Sequence, residues 1–211
     1  MRLYGKKNNK KMIYLIAGHD THRPGAIAHN GLTEHHYTTE LQHSVVWINN
    51  RLHIKTDDES FRLTEVIEWI NSNITQRDLV IDIHFNNNNP RATGTEVFIH
   101  PDAGQRTRHI ATEMVQGISR IVDIPVRRHV STRDYKYPAE SHIGTLGIIE
   151  RVLLEGVPAA PVILLEVCFL NQRDLARYEP QKNNVAKFLY DLLIRHTPLI
   201  GNLDPKEEKR I

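Results

Sequence analysis

Three short apolar runs along the chain predict buried β-strands. They are Met12 to Ala17, Leu79 to Phe85 and Pro161 to Phe169, and each is followed closely by glycine or asparagine. Apolar runs of this length are typical of strands that are buried on both faces, whereas a buried helix needs a longer run. The three runs therefore indicate the centre of a β-sheet.

A fourth predicted strand, Gly94 to His100, has one face that is more polar than the other. Its side chains alternate between two sets, with Thr95, Val97 and Ile99 in one and Glu96 and Phe98 in the other. Alternation with a period of two is the pattern of a strand whose faces meet different surroundings. This pattern assigns Glu96 to the more polar face.

Between and after the strands, apolar residues recur every three or four positions, which predicts amphipathic helices. One helix runs from Glu34 to His53, and another begins at Pro180 and ends near Pro198. The two helices between them place apolar residues on one face, at Leu63, Val66, Ile67 and Ile70 and then at Ile110, Met114, Ile118 and Ile121. Strands that alternate with such helices indicate an α/β fold, here a single domain with an open, largely parallel, twisted sheet and helices on both faces.

The 211 residues suit one domain of this kind with a short segment at each end. We assign residues 12–197 to the domain, residues 1–11 to a basic leader and residues 198–211 to a polar tail. The first residues loosely imitate a signal peptide, but the polar HDTHRP segment interrupts the pattern, so we expect synthesis in the cytoplasm without a signal peptide. No apolar run approaches the roughly 18 to 20 residues that cross a bilayer, so no membrane span is predicted.

The numbers of histidine and cysteine residues restrict the possible functions more than the net charge does. The formal net charge of +2 and the pI of about 8.7 are too weakly basic to indicate nucleic-acid binding. Cys168 is the single cysteine, which excludes an intramolecular disulfide and a zinc site built on several thiolates. The chain has 13 histidines, so a metal bound here would have histidine, aspartate or glutamate ligands.

Ionisable residues stand where the predicted strands end. His19 follows the first strand, His84 is near the end of the second, Glu166 lies in the last, and Glu34 opens the first helix. Sites in open α/β sheets form at the carboxyl ends of the strands, so these four side chains should share one edge of the sheet. Two imidazoles and a carboxylate, with a fourth position for water, form a recurrent catalytic zinc site, and a second glutamate can then transfer protons.

Each of these residues also has a structural explanation. Glu166 is costly to bury as a carboxylate, and an ion pair with Arg151 or Arg173 would explain its presence in an apolar strand. His84 alone would more often be a core histidine, and His19, which follows a glycine, would fit a turn. Glu34 would favour a helix N-terminus through the helix dipole. The combination at one edge is harder to explain in this way, so we favour the metal site.

Five segments of the chain carry a further signal: IYLIAGHDTHRPGA, NGLTE, DLVIDIHFNNN, GTEVFI and PVILLEVCFLNQRD. In sequence and in order they resemble the zinc-dependent N-acetylmuramoyl-L-alanine amidases of the Amidase_3 type, and the resemblance covers roughly residues 13–193. Enzymes of this family cleave the amide between N-acetylmuramic acid and the L-alanine of the peptidoglycan stem peptide. The resemblance implies that His19, Glu34 and His84 bind zinc and that Glu166 is the catalytic glutamate.

The resemblance also assigns neighbours of the site and shows departures from the family. Asn86 matches the asparagine that follows the second histidine, which implies an orienting or substrate-binding role. Asp82 shares a strand face with His84 and either orients that histidine or bonds to a loop. GHDTH replaces the usual Gly-His-Gly-Gly, so His22 and His35 are rival ligands.

A long segment, Pro125 to Ser141, has no clear periodicity and is rich in arginine, histidine and tyrosine. Long irregular segments often carry function, so this one, with Arg133 among its arginines, is a candidate for binding the stem-peptide carboxylates and the glycan. A solvated loop without a binding role is the alternative.

The expected function is peptidoglycan hydrolysis, in which Zn²⁺ activates water and Glu166 passes the water's proton to the departing alanine nitrogen. The expected partner is peptidoglycan or a muropeptide, with no nucleic acid. The protein is expected to be a monomer that acts on the cell wall after release. Two alternatives stay open: a zinc peptidase that cleaves another cell-wall peptide bond, and a non-catalytic cell-wall-binding protein.

Overall fold

The computed structural model has the architecture that the apolar patterns predict. It describes residues 11–48, 52–87, 90–100, 102–127 and 160–197, together with the backbone of 153–154 and 157–158. The leader, except Lys11, and the tail from residue 198 lie outside the described residues. In the described part of the chain, no helix combines the length and the apolar character that crossing a bilayer requires.

The described residues form seven strands and five α-helices. The strands are β1 (Ile13–Ala17), β2 (Ile54–Thr56), β3 (Leu79–Asn86), β4 (Glu96–Ile99), β5 (Leu153–Leu154), β6 (Val157–Pro158) and β7 (Val162–Phe169). The helices are α1 (Glu34–Trp47), α2 (Leu63–Asn71), α3 (Gln105–Val122), α4 (Gln172–Tyr178) and α5 (Lys182–His196). A 3₁₀ turn at Glu179–Gln181 joins the last two helices.

Five of the strands form one sheet in the order β2-β1-β3-β7-β4, while β5 and β6 pair only with each other. The first four strands of this order run parallel, and β4 is antiparallel to β7. Ala17 pairs with Ile83, and His84 pairs with Glu166. The carboxyl ends of β1, β3 and β7 therefore lie side by side, which confirms the predicted largely parallel α/β sheet.

Both faces of the sheet are buried, which explains the continuous apolar runs in the sequence. On one face the strands pack against α1, α3 and α5, with Leu15 and Leu189 in the core between them. On the other face they pack against α2, with Tyr14 and Ile70 in a smaller core. Successive side chains of a strand point to opposite faces, so neighbouring residues of β1 enter different cores.

Helix α1 is shorter than the sequence pattern predicts. It ends at Trp47, with Ile48 as its C-cap, so the predicted end at His53 is wrong. Ile54–Thr56 instead form β2, which the sequence analysis did not predict, and pair with β1. The outer side of β1 needs hydrogen-bonding partners, and β2 supplies them. The spacing of apolar side chains carries no information about that backbone requirement.

Helix α4 is also missing from the sequence prediction, which begins the last helix at Pro180. The structure begins α5 at Lys182 and places α4 before it. Asn171 caps α4, because its side-chain oxygen accepts a hydrogen bond from the backbone N–H of Asp174. This cap was the available signal, but a helix of seven residues is too short to show a convincing period.

Asp174 ties the end of β7 to the segment before β4. Its side chain is fully buried and accepts hydrogen bonds from the Thr93 hydroxyl at 2.6 Å, the Gly94 N–H at 3.0 Å and the Phe169 N–H at 3.1 Å. Because β4 is the only antiparallel strand of the main sheet among the described residues, this carboxylate helps to fix where it begins.

Replacing Asp174 by alanine is expected to lower the free energy of unfolding by about 3 kcal/mol, because two buried N–H groups lose a charged acceptor. Asp191→Ala removes a surface carboxylate that bonds to Lys187 and is expected to change stability by less than about 0.5 kcal/mol. Denaturant unfolding followed by circular dichroism measures both values. Equal losses in the two variants would contradict this role of Asp174.

Candidate metal centre

His19 occupies the turn after β1 in a backbone conformation that is rare for residues other than glycine. Its φ is +71°, in the left-handed region. Gly18 before it is tightly enclosed, because a Cβ atom there would lie 2.5 Å from the His84 ring and from the Ile83 carbonyl oxygen. Surrounding contacts must enforce such a conformation, and here they leave the centroids of the His19 and His84 rings 5.1 Å apart.

Glu34 is the first residue of α1, and its carboxylate is buried at the carboxyl edge of the sheet. Thr33 caps this helix by accepting a hydrogen bond from the His36 N–H. The Glu34 carboxylate accepts hydrogen bonds from the Phe85 N–H at 3.1 Å and the Ala26 N–H at 3.3 Å. A helix N-terminus favours a carboxylate in any case, but these two bonds also fix its direction.

Both carboxylate oxygens of Glu34 face imidazoles. Oε2 lies 3.0 Å from Nε2 of His19, and Oε1 lies 3.0 Å from Nδ1 of His84. Glu34 is 6% exposed and His84 is 4% exposed. The potential ligand atoms of the three residues all lie within 4.8 Å of one another. The structure thus brings together the three residues that the sequence analysis named as ligands.

Asp82 contacts His84 from the other side. Its Oδ2 lies 3.2 Å from Nε2 of His84, and the two side chains leave β3 on the same face. When Nε2–H donates to Asp82, the lone pair on Nδ1 of a neutral His84 faces Glu34. Carboxylates that bond in this way to metal-binding histidines fix both the tautomer and the direction of the ring.

Burial and neighbouring charges set the protonation of these groups. Burial acts to raise the pKa of Glu34, but the hydrogen bonds and charges of His19 and His84 outweigh it and lower the pKa well below its usual value. Burial acts to lower the pKa of His84, yet the carboxylates of Asp82 and Glu34 raise it well above its usual value. The carboxylates of Asp82 and Glu34 therefore stabilise a positive charge between them, and a bound divalent cation would also supply such a charge.

Glu166 lies next to His84 in the sheet, and a second carboxylate lies on its other side. His84 is the partner of Glu166 on β3, and Glu96 is its partner on β4. Glu96 is 4% exposed, so the more polar face of β4 is buried against the site. The alternation of side chains in the sequence places Glu96 on that face but does not reveal its part in the site, because alternation shows which face a residue is on and not what covers that face.

Two side chains hold Glu96 in place. Asn86 Nδ2 donates to Glu96 Oε1 at 2.7 Å, and Arg127 Nη1 donates to the same oxygen at 3.1 Å. Asn86 therefore lies at the site, where it contacts a carboxylate of the protein. Arg127 is the last described residue of the Pro125–Ser141 segment, and Arg133 lies outside the described residues.

The carboxyl group of Glu166 has a raised pKa. Its Oε2 is closed to solvent and has no hydrogen-bond partner in the described part of the chain. Burial raises the pKa of Glu166 to about 8; the charge of His84 opposes this rise, and the charges of Glu34 and Glu96 add to it. A carboxyl group that titrates near neutral pH is suited to general acid and base catalysis.

The rival residues lie apart from this cluster. His22 is exposed, and His35 faces a different carboxylate, that of Glu59, across 3.9 Å. No ion pair joins Glu166 to Arg173 within the described residues. Arg151, the other proposed partner of Glu166, lies outside the described residues.

A cavity of about 520 Å³ opens beside the two imidazoles, between the sheet and α2. Its lining combines charged and apolar side chains, among them Asp20, Arg23, Asp57, Phe61, Leu63 and Asp82. Asp57 accepts hydrogen bonds from the Ala17 N–H at 3.1 Å and from Gln42 Nε2 at 2.8 Å. Burial raises the pKa of Asp57 to about 7. No pattern in the sequence singles out Asp57, because this residue follows the unpredicted strand β2.

The donor set and its surroundings fit a zinc ion. Two imidazole nitrogens and one carboxylate are ligands that zinc prefers. Gly25, with φ of +75°, lets the backbone pass close to them, because a Cβ atom there would lie 2.6 Å from His19 Cδ2 and 2.8 Å from Glu34 Oε2. The candidate ligands thus lie close against the backbone at Gly25, and Asp82 is in place to orient one imidazole.

Comparison with known proteins relates the chain to one family. The family model Amidase_3, described as N-acetylmuramoyl-L-alanine amidase, matches residues 13–193. Among curated proteins, the uncharacterized protein YqiI of Bacillus subtilis (strain 168) is 30% identical over 113 residues, which cover 49% of this chain and 52% of that protein. The chain thus spans about half the length of the curated relative it matches.

Solved structures with a similar fold cover about nine-tenths of this chain. The catalytic domain of CwlV, an N-acetylmuramoyl-L-alanine amidase from Bacillus (Paenibacillus) polymyxa var. colistinus, has a TM-score of 0.69 at 19% identity, covering 90% of this chain and 99% of that one. A putative N-acetylmuramoyl-L-alanine amidase from Neisseria meningitidis has a TM-score of 0.69 at 20% identity, covering 90% and 97%. At these identities the similarity shows a shared fold.

Gly25→Ala is expected to weaken zinc binding at least about tenfold, because the new methyl group would collide with His19 and Glu34. Gly31→Ala is a matched control. Gly31 also has a positive φ, +87°, but a Cβ atom there meets nothing within 4 Å. Both variants carry a similar backbone cost of roughly 1 to 2 kcal/mol. Zinc titration against a competing chelator measures the difference, and equal zinc affinity in the two variants would contradict the proposed enclosure of the ligands.

Asp57→Asn is expected to stabilise the metal-free protein at pH 8 and to have little effect at pH 4. The pKa of Asp57 is about 7 in the folded state, compared with its usual 3.8. Between these pH values the folded state binds more protons than the unfolded state, so the free energy of unfolding falls as the pH rises. Asparagine can still accept both hydrogen bonds through Oδ1. The gain should be on the order of 1 to 2 kcal/mol, given the partial exposure of the side chain.

Denaturant unfolding at the two pH values tests this expectation, with exposed Asp102→Asn as the control. A gain at pH 8 that also appears at pH 4, or in the control, would contradict burial of an ionisable Asp57.

Proposed function

Because the chain belongs to the Amidase_3 family of N-acetylmuramoyl-L-alanine amidases, we propose that it hydrolyses the amide between N-acetylmuramic acid and the first L-alanine of the peptidoglycan stem peptide. One observation carries this proposal. His19, Glu34 and His84 converge at the carboxyl edge of the sheet. Glu166, on the neighbouring strand β7, pairs with His84. The cluster supplies metal ligands, and Glu166 supplies a group that can transfer protons.

Zinc is the proposed cofactor, held by Nε2 of His19, the Glu34 carboxylate and Nδ1 of His84. When bound, the ion lowers the pKa of a water molecule and polarises the scissile carbonyl oxygen. The protein's own groups keep these ligands in position. The Phe85 and Ala26 N–H groups direct Glu34, and Asp82 holds the His84 ring by accepting its Nε2–H.

Glu166 is the proposed general base and general acid. It takes a proton from the attacking water while the new C–O bond forms. It then gives that proton to the alanine nitrogen while the C–N bond breaks, so the products are the muramic acid carboxylate and a peptide with a free amino group. With a pKa of about 8, the Glu166 carboxyl group can both accept and release a proton near neutral pH, as the two steps require.

Glu96 is proposed to sustain the raised pKa of Glu166. The two residues are cross-strand partners, and hydrogen bonds from Asn86 and Arg127 hold the Glu96 side chain in place. The negative charge of Glu96 raises the pKa of Glu166, so Glu166 holds its proton more readily.

The cavity beside His19 and His84 is the proposed entry for the substrate. Peptidoglycan or a muropeptide remains the predicted partner. The contribution of Arg133 and its segment to binding stays a prediction, as do the monomeric state and action on the cell wall after release.

Glu166→Gln is expected to lower kcat for peptide release from peptidoglycan by about 10²- to 10⁴-fold, because glutamine cannot transfer the proton. Zinc content should not change, since Glu166 is not a proposed ligand. Glu68→Gln alters an exposed glutamate on α2 and should retain full activity. Activity is measured with zinc restored after chelation, together with metal analysis of each variant.

The products decide between the proposed reaction and its alternatives. The amidase releases peptides with a new N-terminal alanine and creates no new reducing sugar ends. Peptides that begin with another residue would instead indicate a peptidase. Binding to peptidoglycan without any release by the zinc-loaded wild type would indicate a binding protein, and a fully active Glu166→Gln variant would remove Glu166 from the reaction.

A further inference from the structure

A second group of two imidazoles and one carboxylate lies on the helices that cover the larger core. His109 and Glu113 belong to α3, and His196 is the last residue of α5. The potential ligand atoms of these residues also lie within 4.8 Å of one another. His196 Nε2 bonds to Glu113 Oε2, and the centroids of the His109 and His196 rings are 5.4 Å apart.

Helix geometry explains why these three side chains converge. His109 and Glu113 are four residues apart and share one side of α3. Helices α3 and α5 pack closely, because Gly117 leaves room for the Phe188 ring where a Cβ atom would overlap it. Arg106 Nη2 donates to the His196 carbonyl oxygen at 3.0 Å, which joins the end of α5 to the start of α3. The group is therefore held by rigid elements.

This group is remote from the candidate metal centre. Arg106, which bonds to His196, lies close enough to Asp78 for their charges to interact: burial lowers the Arg106 pKa, and the Asp78 carboxylate partly opposes this. Asp78 in turn accepts a hydrogen bond from the Met12 N–H at the amino ends of β1 and β3. His84, in contrast, is near the carboxyl end of β3. The two groups thus lie at opposite edges of the sheet.

The chemistry of the second group suits a first-row transition ion. Imidazole and carboxylate together favour zinc, nickel, cobalt or copper over magnesium and calcium, which prefer oxygen ligands alone. His109 is exposed, which gives an ion direct access.

We propose that His109, Glu113 and His196 form a second site for a divalent transition ion. This second site links α3 to α5 and is separate from the candidate metal centre. The ion binds through one imidazole and one carboxylate of α3 and one imidazole of α5. Three protein ligands leave the remaining positions to water. An ion that binds only the folded arrangement stabilises the packing of the two helices. This site does not depend on the amidase proposal.

Zinc titration into the metal-free protein tests the proposal, with bound zinc counted by calorimetry and metal analysis. The wild type should bind two ions per chain. His109→Ala should bind one and lose part of the zinc-dependent rise in Tm, while peptide release from peptidoglycan is unchanged. His19→Ala should also bind one ion, since it removes the other site. His36→Ala, which alters an exposed helical histidine outside both groups, should match the wild type.

His109 is exposed, so its replacement should not prevent folding. Glu113→Gln provides a second variant that removes the charge and keeps the side-chain volume, and it should also bind one ion. A wild type whose single ion is lost in His19→Ala and kept in His109→Ala would overturn the second site. So would a His109→Ala variant that binds two ions, or a His36→Ala variant that loses one as well.

Discussion

The Glu34 carboxylate, buried between two imidazoles, is the interaction on which the site depends. Glu34 comes from the start of α1, His19 from the turn after β1, and His84 from β3. An unpaired charge in this interior would cost several kcal/mol, and breaking such a set by removing one member leaves the others uncompensated. Asp82 contacts His84 from the other side, so the charges of the two carboxylates and the two imidazoles compensate one another. They therefore hold three elements of the fold at one point.

The parallel sheet brings these groups to one edge, and the backbone conformation at two residues allows the chain to pass close to them. Register places Glu166 beside His84 and Glu96 beside Glu166, so one row of the sheet carries an imidazole and two carboxyl groups. The left-handed conformation of His19 and the bare backbone of Gly25 allow the chain to close around the ligands. The group at His109 has similar side chains but lies on two packed helices, near the surface. Similar donor sets can thus arise from different parts of one fold.

The patterns in the sequence predicted the sheet, the main helices and the ionisable residues at the carboxyl edge, because each of these follows from local apolar spacing and strand order. They did not predict β2, whose formation depends on the free edge of β1. They placed Glu96 on the correct face without showing its role, since its cross-strand partner is 70 positions away along the chain. Asp57 and Gly25 were missed for the same reason. Their importance depends on contacts between distant segments, which a single sequence does not display.

A crystal structure of the zinc-loaded protein, with anomalous scattering recorded on both sides of the zinc absorption edge, tests the central claim most directly. We expect an anomalous peak at the carboxyl edge of the sheet, bound by Nε2 of His19, the Glu34 carboxylate and Nδ1 of His84, with Nε2 of His84 still bonded to Asp82. A zinc-loaded crystal with no peak among these three residues, or with the ion bound by His22 or His35 in their place, would contradict it.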